Sequence, residues 1–464
     1  MRVLLKDCIF AVYKKKNGMR KVLFAILAFY VAQTEAQPCW TVMQCMQYAV
    51  EHNHEVRTSK LELGNYKVAK ANAAGRFLPA VDANIGAQYN FGRAIDPETN
   101  GYTNVSTFYN GYSVQVSLPV FDGFNRLHAL KAAKASVLMG HQALRQQQNQ
   151  VALNVLQAYV NVVYDEGMVR MAQEKLQETE LLLRQTRLLE EVGRKSAADV
   201  ALVESQHAEA DYEVTRQQNL LATALLELKK GMAYPLTDSL AVVAPIADAK
   251  SVSHESGISD SHRQDAMQPF CSPLHPALQQ AQYQVQTSKH EWNQARASLY
   301  PTLSLSAGLS TTYYKTLHTQ TASSFGKQFS NNMGEYVGVT LSIPIFNRMQ
   351  TVSNIRKAKN NYQIAREAYE QKRAELEKLS REAWLDWQGY LKQTIQMEKK
   401  VEADSLAYQL TYHKYEEGLS TAIDLRNTSA QLLHSKATLL QCRLMAMVKE
   451  QLVRYYQGIT IWTE

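Results

Sequence analysis

Two halves of the chain repeat one pattern, and this duplication constrains the fold more than any other feature of the sequence. Three pairs of short segments recur in the same order, 222 or 225 positions apart. They are 77–79 and 299–301, 118–122 and 343–347, and 193–200 and 418–425. Because the separation holds over more than a hundred residues, each half is expected to fold as the same unit. We expect a first repeat over 37–243, a linker rich in Ser, Asp, His and Pro over 244–276, a second repeat over 277–458 and a tail over 459–464.

Residues 1–36 are typical of a secretory signal peptide whose natural start is Met19. An apolar run over 22–32 follows Arg20 and Lys21, and small residues lead to Ala36. This leader carries seven basic and two acidic residues, so its removal lowers the net charge from +7 to about +2. We therefore expect no nucleic-acid partner, since phosphate binding needs a basic surface.

Four cysteines remain beyond the leader, which is too few for a disulfide scaffold in so long a chain. Cys39 and Cys45 could bridge in an oxidising periplasm or stay as free thiols, and Cys39 could carry a lipid anchor. The sequence leaves these alternatives open.

Four segments alternate apolar and small polar residues, which predicts strands over about 77–92, 108–121, 300–314 and 335–346. Such strands could pack as an ordinary sheet on a core. Their length, their uncharged polar face and the aromatic residues toward their ends favour a membrane barrel instead. Four strands cannot enclose a lumen, so the barrel would be shared, with eight strands in a dimer or twelve in a trimer. Prolines at 79, 119, 301 and 344 are expected to end the strand pairing.

Long helices follow each strand pair, because no proline occurs over 123–192 or 347–417. Seventy helical residues extend about 105 Å. Seams such as Val151, Val155, Ala158 and Val162 predict helix-on-helix packing in a coiled-coil manner. The returning helices are predicted over 196–231 and 421–457.

Matched turns separate the long helices from the returning helices. Gly193 and Gly418 lie where a helix end favours positive φ. Ser196 and Thr421 then provide N-cap hydroxyls, and Asp199 and Asp424 follow three residues later. Taken alone, this pattern indicates helix capping and complementation of the helix dipole.

The order and duplication of these elements resemble the TolC-like outer-membrane efflux protein family, over roughly 40–460. The quoted motifs include 40–45 (WTVMQC), 49–53 (AVEHN) and 415–424 (YEEGLSTAID). The resemblance implies a mainly α fold with β: a duplicated helix–β-hairpin–long helical hairpin unit. It also implies a homotrimer with a 12-stranded transmembrane β-barrel, continued by a long periplasmic α-helical barrel. Its location would be the outer membrane of a Gram-negative bacterium, in contact with outer-membrane lipid.

In that family the chain is an exit duct for an inner-membrane pump, joined through a periplasmic adaptor, or membrane fusion protein. The system serves efflux or secretion; a tripartite efflux pump is the commoner use in the family, and we expect a transporter of the resistance-nodulation-division type. The resemblance places a periplasmic aperture at Tyr415 and Asp424. Asn427 stands where the family has a second acid, and Ser420 stands where an arginine is frequent. Adaptor docking is implied at the hairpin tips. These tips are Val192, Gly193, Arg194, Gly418, Leu419 and Ser420.

Catalytic and metal-binding motifs do not occur in the sequence, so we expect no enzyme activity, no cofactor and no metal site. His52 and His54 are two apart on a predicted helix and cannot share a metal-binding face. A periplasmic adaptor or a structural coiled-coil protein remains the alternative to a channel.

Overall fold

The computed structural model describes residues 39–95, 100–104, 106–243, 271–317 and 324–462. The expected leader, most of the expected linker and the last two residues lie outside these ranges. The helices are α1 (Val42–His52), α2 (His54–Gly75), α3 (Asn125–Glu191), α4 (Ala197–Met232), α5 (Pro276–Ala297), α6 (Phe325–Asn331), α7 (Gln350–Glu416) and α8 (Ala422–Tyr456). The strands are β1 (Cys39–Trp40), β2 (Ala80–Asn90), β3 (Arg93–Ile95), β4 (Tyr102–Asn104), β5 (Thr107–Phe121), β6 (Ala241–Val242), β7 (Thr302–Thr316) and β8 (Gly334–Ser342).

Both repeats contribute to one antiparallel four-stranded sheet in the order β2-β5-β7-β8. The two hairpins meet through β5 and β7, where Val114 pairs with Leu309. Side chains alternate between the faces of a strand, so the register gathers the apolar residues of all four strands on one face. Val81 on β2 is 64% exposed and Val337 on β8 is 78% exposed. The two edge strands are therefore open and apolar in the single chain.

Strand β5 corrects one expectation about the prolines. Pro119 does not end the strand, because β5 continues to Phe121, and the pairing with β7 shifts between these two residues. A bulge accommodates a residue that has no backbone N–H to give to the ladder. The other prolines lie outside the strands: β2 and β7 begin after Pro79 and Pro301, and β8 ends before Pro344.

The long helices α3 and α7 have 67 residues each, which corresponds to about 100 Å. Each packs against the returning helix of its own repeat, α3 on α4 and α7 on α8. The main core lies about midway along them, where Val151, Val155 and Val162 are fully buried. No described helix combines the length and the apolar character needed to cross a membrane.

Short elements near the main core differ from the single helix expected at the start of the first repeat. Asn53 divides that helix into α1 and α2; its side chain accepts from the Glu55 backbone N–H and donates to the Gly231 carbonyl at 2.9 Å. Strands β1 and β6 form a small parallel pair next to it. Cys39 is an exposed free thiol and Cys45 a buried one.

Candidate functional site

The turns at the ends of the two long helices meet in a second, smaller core, far along the helices from the main one. We call it the tip cluster. Its buried members come from four helices and both repeats. They are Leu182, Val203, Tyr415, Ala422 and Leu425. The first repeat and the second repeat therefore hold each other at this end of the molecule.

Tyr415 is the central side chain of the tip cluster and is only 2% exposed. Its hydroxyl lies 3.2 Å from the Thr186 hydroxyl, which itself donates to the Leu182 carbonyl at 2.8 Å. Tyr415 is thus the donor to Thr186. The Lys195 ammonium lies 4.0 Å from the centre of the Tyr415 ring, within cation–π range. These contacts fix the last turn of α7 to α3 and to the turn that follows α3.

Two further tyrosines on α7 extend this connection away from the tip. Tyr412 donates to the Gln185 side-chain oxygen at 3.2 Å, and Tyr408 donates to the Glu178 carboxylate. Burial, followed by this bond to Glu178, raises the pKa of Tyr408 well above its ordinary value. Spacings of four and three residues place the tyrosines on one helical face. We call Tyr408, Tyr412 and Tyr415 the tyrosine ladder.

A lysine continues the polar contacts from the ladder to α8. Lys175 donates to the Glu178 carboxylate at 3.1 Å and to the Ser429 hydroxyl. Glu178 therefore bridges α3 to α7 while Lys175 bridges α3 to α8. Separating the second-repeat hairpin from α3 would break both contacts.

Capping boxes begin the two returning helices. Ser196 and Thr421 each accept a backbone N–H from the aspartate three residues later, and the carboxylates of Asp199 and Asp424 accept in return from the cap. Hydrogen bonds from these caps hold the pKa of both aspartates below its ordinary range. Both carboxylates are therefore ionised at neutral pH, and Asp424 is exposed to solvent.

The outermost residues of the turns are exposed. Gly193 and Gly418 have φ of 72° and 79°, the left-handed conformation that glycine adopts readily at the end of a helix. Val192 is 69% exposed and Leu419 is 74% exposed. Arg194 and Asn427 are also exposed, while Ser420 is half-buried and its hydroxyl approaches the Asp424 carboxylate at 3.4 Å.

The structure brings Tyr415 against the first repeat and leaves Asp424 and Asn427 at the surface. Sequence reasoning missed Thr186, Lys195 and the Glu178–Tyr408 contact. The spacing of the tyrosine ladder was readable as one helical face, but its partners lie more than 200 positions away. Within the described ranges, no group of three or more His, Cys, Asp or Glu side chains could hold a metal ion.

Known proteins resemble this chain over most of its length. The model of the outer membrane efflux protein family matches residues 46–233 and 274–454. The probable efflux pump outer membrane protein TtgC of Pseudomonas putida is 21% identical over 422 residues, covering 90% of this chain and 82% of that protein. Outer membrane protein TolC of Escherichia coli is 24% identical over 427 residues, covering 88% and 80%.

A solved structure of CusC has the same fold. It aligns with a TM-score of 0.76 at 16% sequence identity, covering 91% of this chain and 93% of that one. The family match covers the four-stranded sheet, the long helices and both turns. This chain therefore belongs to the outer membrane efflux protein family, whose members are outer-membrane channel proteins and not enzymes.

Proposed function

We propose that three copies of this chain form an outer-membrane exit duct, which receives substrates from an inner-membrane pump through a periplasmic adaptor. As a member of its family, the chain is an outer-membrane efflux channel protein with a large periplasmic portion. The observation that carries the trimeric duct is the sheet, which has two open apolar edges. The same sheet argues against the two alternatives, a periplasmic adaptor and a structural coiled-coil protein, because neither needs a sheet with open apolar edges.

The open edges support a barrel shared between subunits. In lipid, each unpaired backbone group at an edge costs several kcal/mol. Pairing β8 of one copy with β2 of the next removes both edges, and three copies supply twelve strands. The apolar face then meets lipid, while the small polar side chains opposite it line the lumen.

The helices support a passage through the periplasm below that barrel. About 100 Å of α3 and α7 continue from the end of the sheet where the chain leaves β5 and β8. Exposed apolar residues along α7 are available to a neighbouring copy. They include Ile364, Leu385, Ile395, Leu406 and Leu410.

The tip cluster supports a constriction at the periplasmic end. The tyrosine ladder holds α7 against α3, and breaking it would let the second-repeat hairpin move outward. In a trimer, Asp424 contributes three carboxylates that repel one another and attract cations. We assign Tyr415 and Asp424 to this aperture, with Asn427 one helical turn beyond Asp424.

The tips support docking of an adaptor. Val192 and Leu419 expose apolar surface beside two glycines whose turns leave open space around them. Arg194 adds a charge to the first tip only. TtgC is named as the outer membrane protein of an efflux pump. By analogy, we expect this chain to work with an adaptor of the membrane fusion class and a pump of the resistance-nodulation-division type.

The test is the mass of the purified protein followed by its behaviour in a planar bilayer. We expect a mass of three chains and a small, cation-selective conductance, because the aperture is narrow and acidic. A monomer that does not insert into the bilayer would overturn the proposal.

A further inference from the structure

The short helix α6 lies at the end of the sheet opposite the long helices, between β7 and β8. It packs on β7. We propose that α6 is an interfacial anchor that rests in the outer leaflet and binds its phosphate-bearing lipids. This proposal rests on the shared barrel, because only that barrel turns the apolar face of the sheet toward lipid.

Register determines the face on which α6 lies. Thr311 pairs with Tyr112, on the same side as Val114 and Leu309, and these are residues of the apolar face. The Thr311 hydroxyl donates to the Phe329 carbonyl at 2.7 Å, and Thr311 is only 5% exposed. Helix α6 therefore covers the lipid-facing side of the sheet and not the lumen.

Aromatic rings join the helix to that face. Phe329 approaches Tyr112 with ring centres 5.4 Å apart, and Phe325 approaches Tyr313 at 5.2 Å. Phe325 remains 46% exposed and Met333, just beyond α6, is 51% exposed. The apolar surface of the strands thus continues onto the helix.

Polar side chains of α6 and of its C-terminal end form hydrogen bonds with the backbone groups of β7 that β8 leaves unpaired. Pairing of β7 with β8 stops at Ser310. Beyond it, the Gln328 side chain accepts from the Tyr314 N–H and donates to the Tyr314 carbonyl, both at 2.9 Å. Asn332 donates to the Thr312 carbonyl at 2.8 Å. Such satisfaction is what a strand edge needs at the border of a bilayer.

The charged residues at this end of the sheet favour anionic lipid headgroups as the partner of α6. Lys327 on α6 and Lys315 near the end of β7 are both exposed. Glu335 lies on the same sheet face, but it pairs with Leu309, six residues nearer the middle of the sheet than Lys315. Aromatic rings with lysines beside an apolar band are typical of membrane interfaces that meet anionic headgroups.

Fluorescence quenching by brominated lipids tests the proposal in the full trimer. The reporters are Phe325→Trp on α6 and Val337→Trp, which marks the apolar face of β8. All five native tryptophans lie outside the four strands of the sheet and α6, so they supply a constant background. The probes are phosphatidylcholine and phosphatidylglycerol vesicles brominated either near the headgroup or deep in the acyl chains.

We expect Phe325→Trp to lose fluorescence mainly with bromine near the headgroup, and Val337→Trp with bromine in the chains. Quenching of Phe325→Trp should be stronger in phosphatidylglycerol. That preference should be lost with Lys327→Glu and kept with Lys327→Arg. If Val337→Trp is quenched but Phe325→Trp is not, another copy of the chain or solvent occupies this surface and the anchor is wrong. If neither is quenched, the shared barrel itself fails.

Discussion

The turn that ends α3 and the turn that ends α7 share one backbone but carry different side chains. Both have a glycine at positive φ followed by the same capping box. With the offset of 225 residues between the repeats, Glu190 of the first repeat is the equivalent of Tyr415 of the second. Only the tyrosine enters the tip cluster. Duplication has thus preserved what the backbone requires, while the buried contact that joins the repeats exists on one side only.

The two turns also differ in their basic residues, which occur at the outer surface of the first turn but not at the equivalent positions of the second. Arg194 and Lys195 of the first turn correspond to Leu419 and Ser420 of the second. Lys195 reaches across to the other repeat, since its ammonium lies over the Tyr415 ring. The two turns are therefore complementary parts of one site.

Truncation of Tyr415 should give the largest difference between the turns. Tyr415→Ala removes a buried ring, which costs about 3–5 kcal/mol in protein cores. Glu190→Ala, at the half-buried equivalent position, should change local stability by less than about 0.5 kcal/mol. Amide hydrogen exchange of the hairpin tips in the detergent-solubilised protein measures both. Equal losses of protection would show that the tip cluster does not depend on Tyr415.

A second equivalent pair, Asn53 and His275, should give the two repeats a different dependence of stability on pH. Both cap 22-residue helices, but His275 is fully buried, and burial with the nearby Lys372 lowers its pKa from 6.5 to about 4. The unfolded chain takes up the proton first, so stability is present above pH 6.5 and is lost as the pH falls toward 4. The loss amounts to at most about 3 kcal/mol.

Replacing His275 by the residue of the other repeat tests this difference. We expect His275→Asn to keep the cap and to abolish the acid-induced loss of protection at the start of α5. The start of α2, which Asn53 caps, serves as the internal reference. Undiminished acid sensitivity of α5 in the variant would contradict the assignment.

Capping should give the smallest difference, because both turns use the same device. Ser196→Ala and Thr421→Ala should each destabilise the start of their helix by about 1 kcal/mol. Hydrogen exchange over the first turns of α4 and α8 provides the comparison. A much larger effect at one turn would mean that its cap also supports contacts within the tip cluster.

Much of the backbone could be predicted from the sequence, because local patterns determine it. The absence of proline over 123–192 predicted α3, and apolar alternation predicted the strands. The bulge at Pro119 was missed because pairing with β7 outweighs the usual effect of proline. Helix α6 was missed because seven residues carry too little periodicity, and its stability comes from contacts with Tyr112 and Tyr314.

The candidate site was less predictable than the backbone. Glycine and the cap residues mark the turns by short-range chemistry, so Gly418 and Asp424 stand out in the sequence. The partners of Tyr415 do not, because Thr186 and Lys195 lie in the other repeat, and a lysine in a turn or a threonine in a helix has many ordinary roles. Whether Asp424 lines an aperture depends on neighbouring copies of the chain.

Single-channel conductance of reconstituted trimers tests most directly the central claim that the second turn, and not the first, restricts the duct. The variant pairs Tyr415→Phe with Asp424→Ala, which removes the bond to Thr186 and the exposed carboxylate. The matched control pairs Glu190→Gln with Asp199→Ala and breaks the same capping box in the first turn. We predict a higher conductance for the first variant and an unchanged one for the control. An unchanged conductance in both, or an equal rise in both, would contradict the account and leave these residues with capping and packing roles alone.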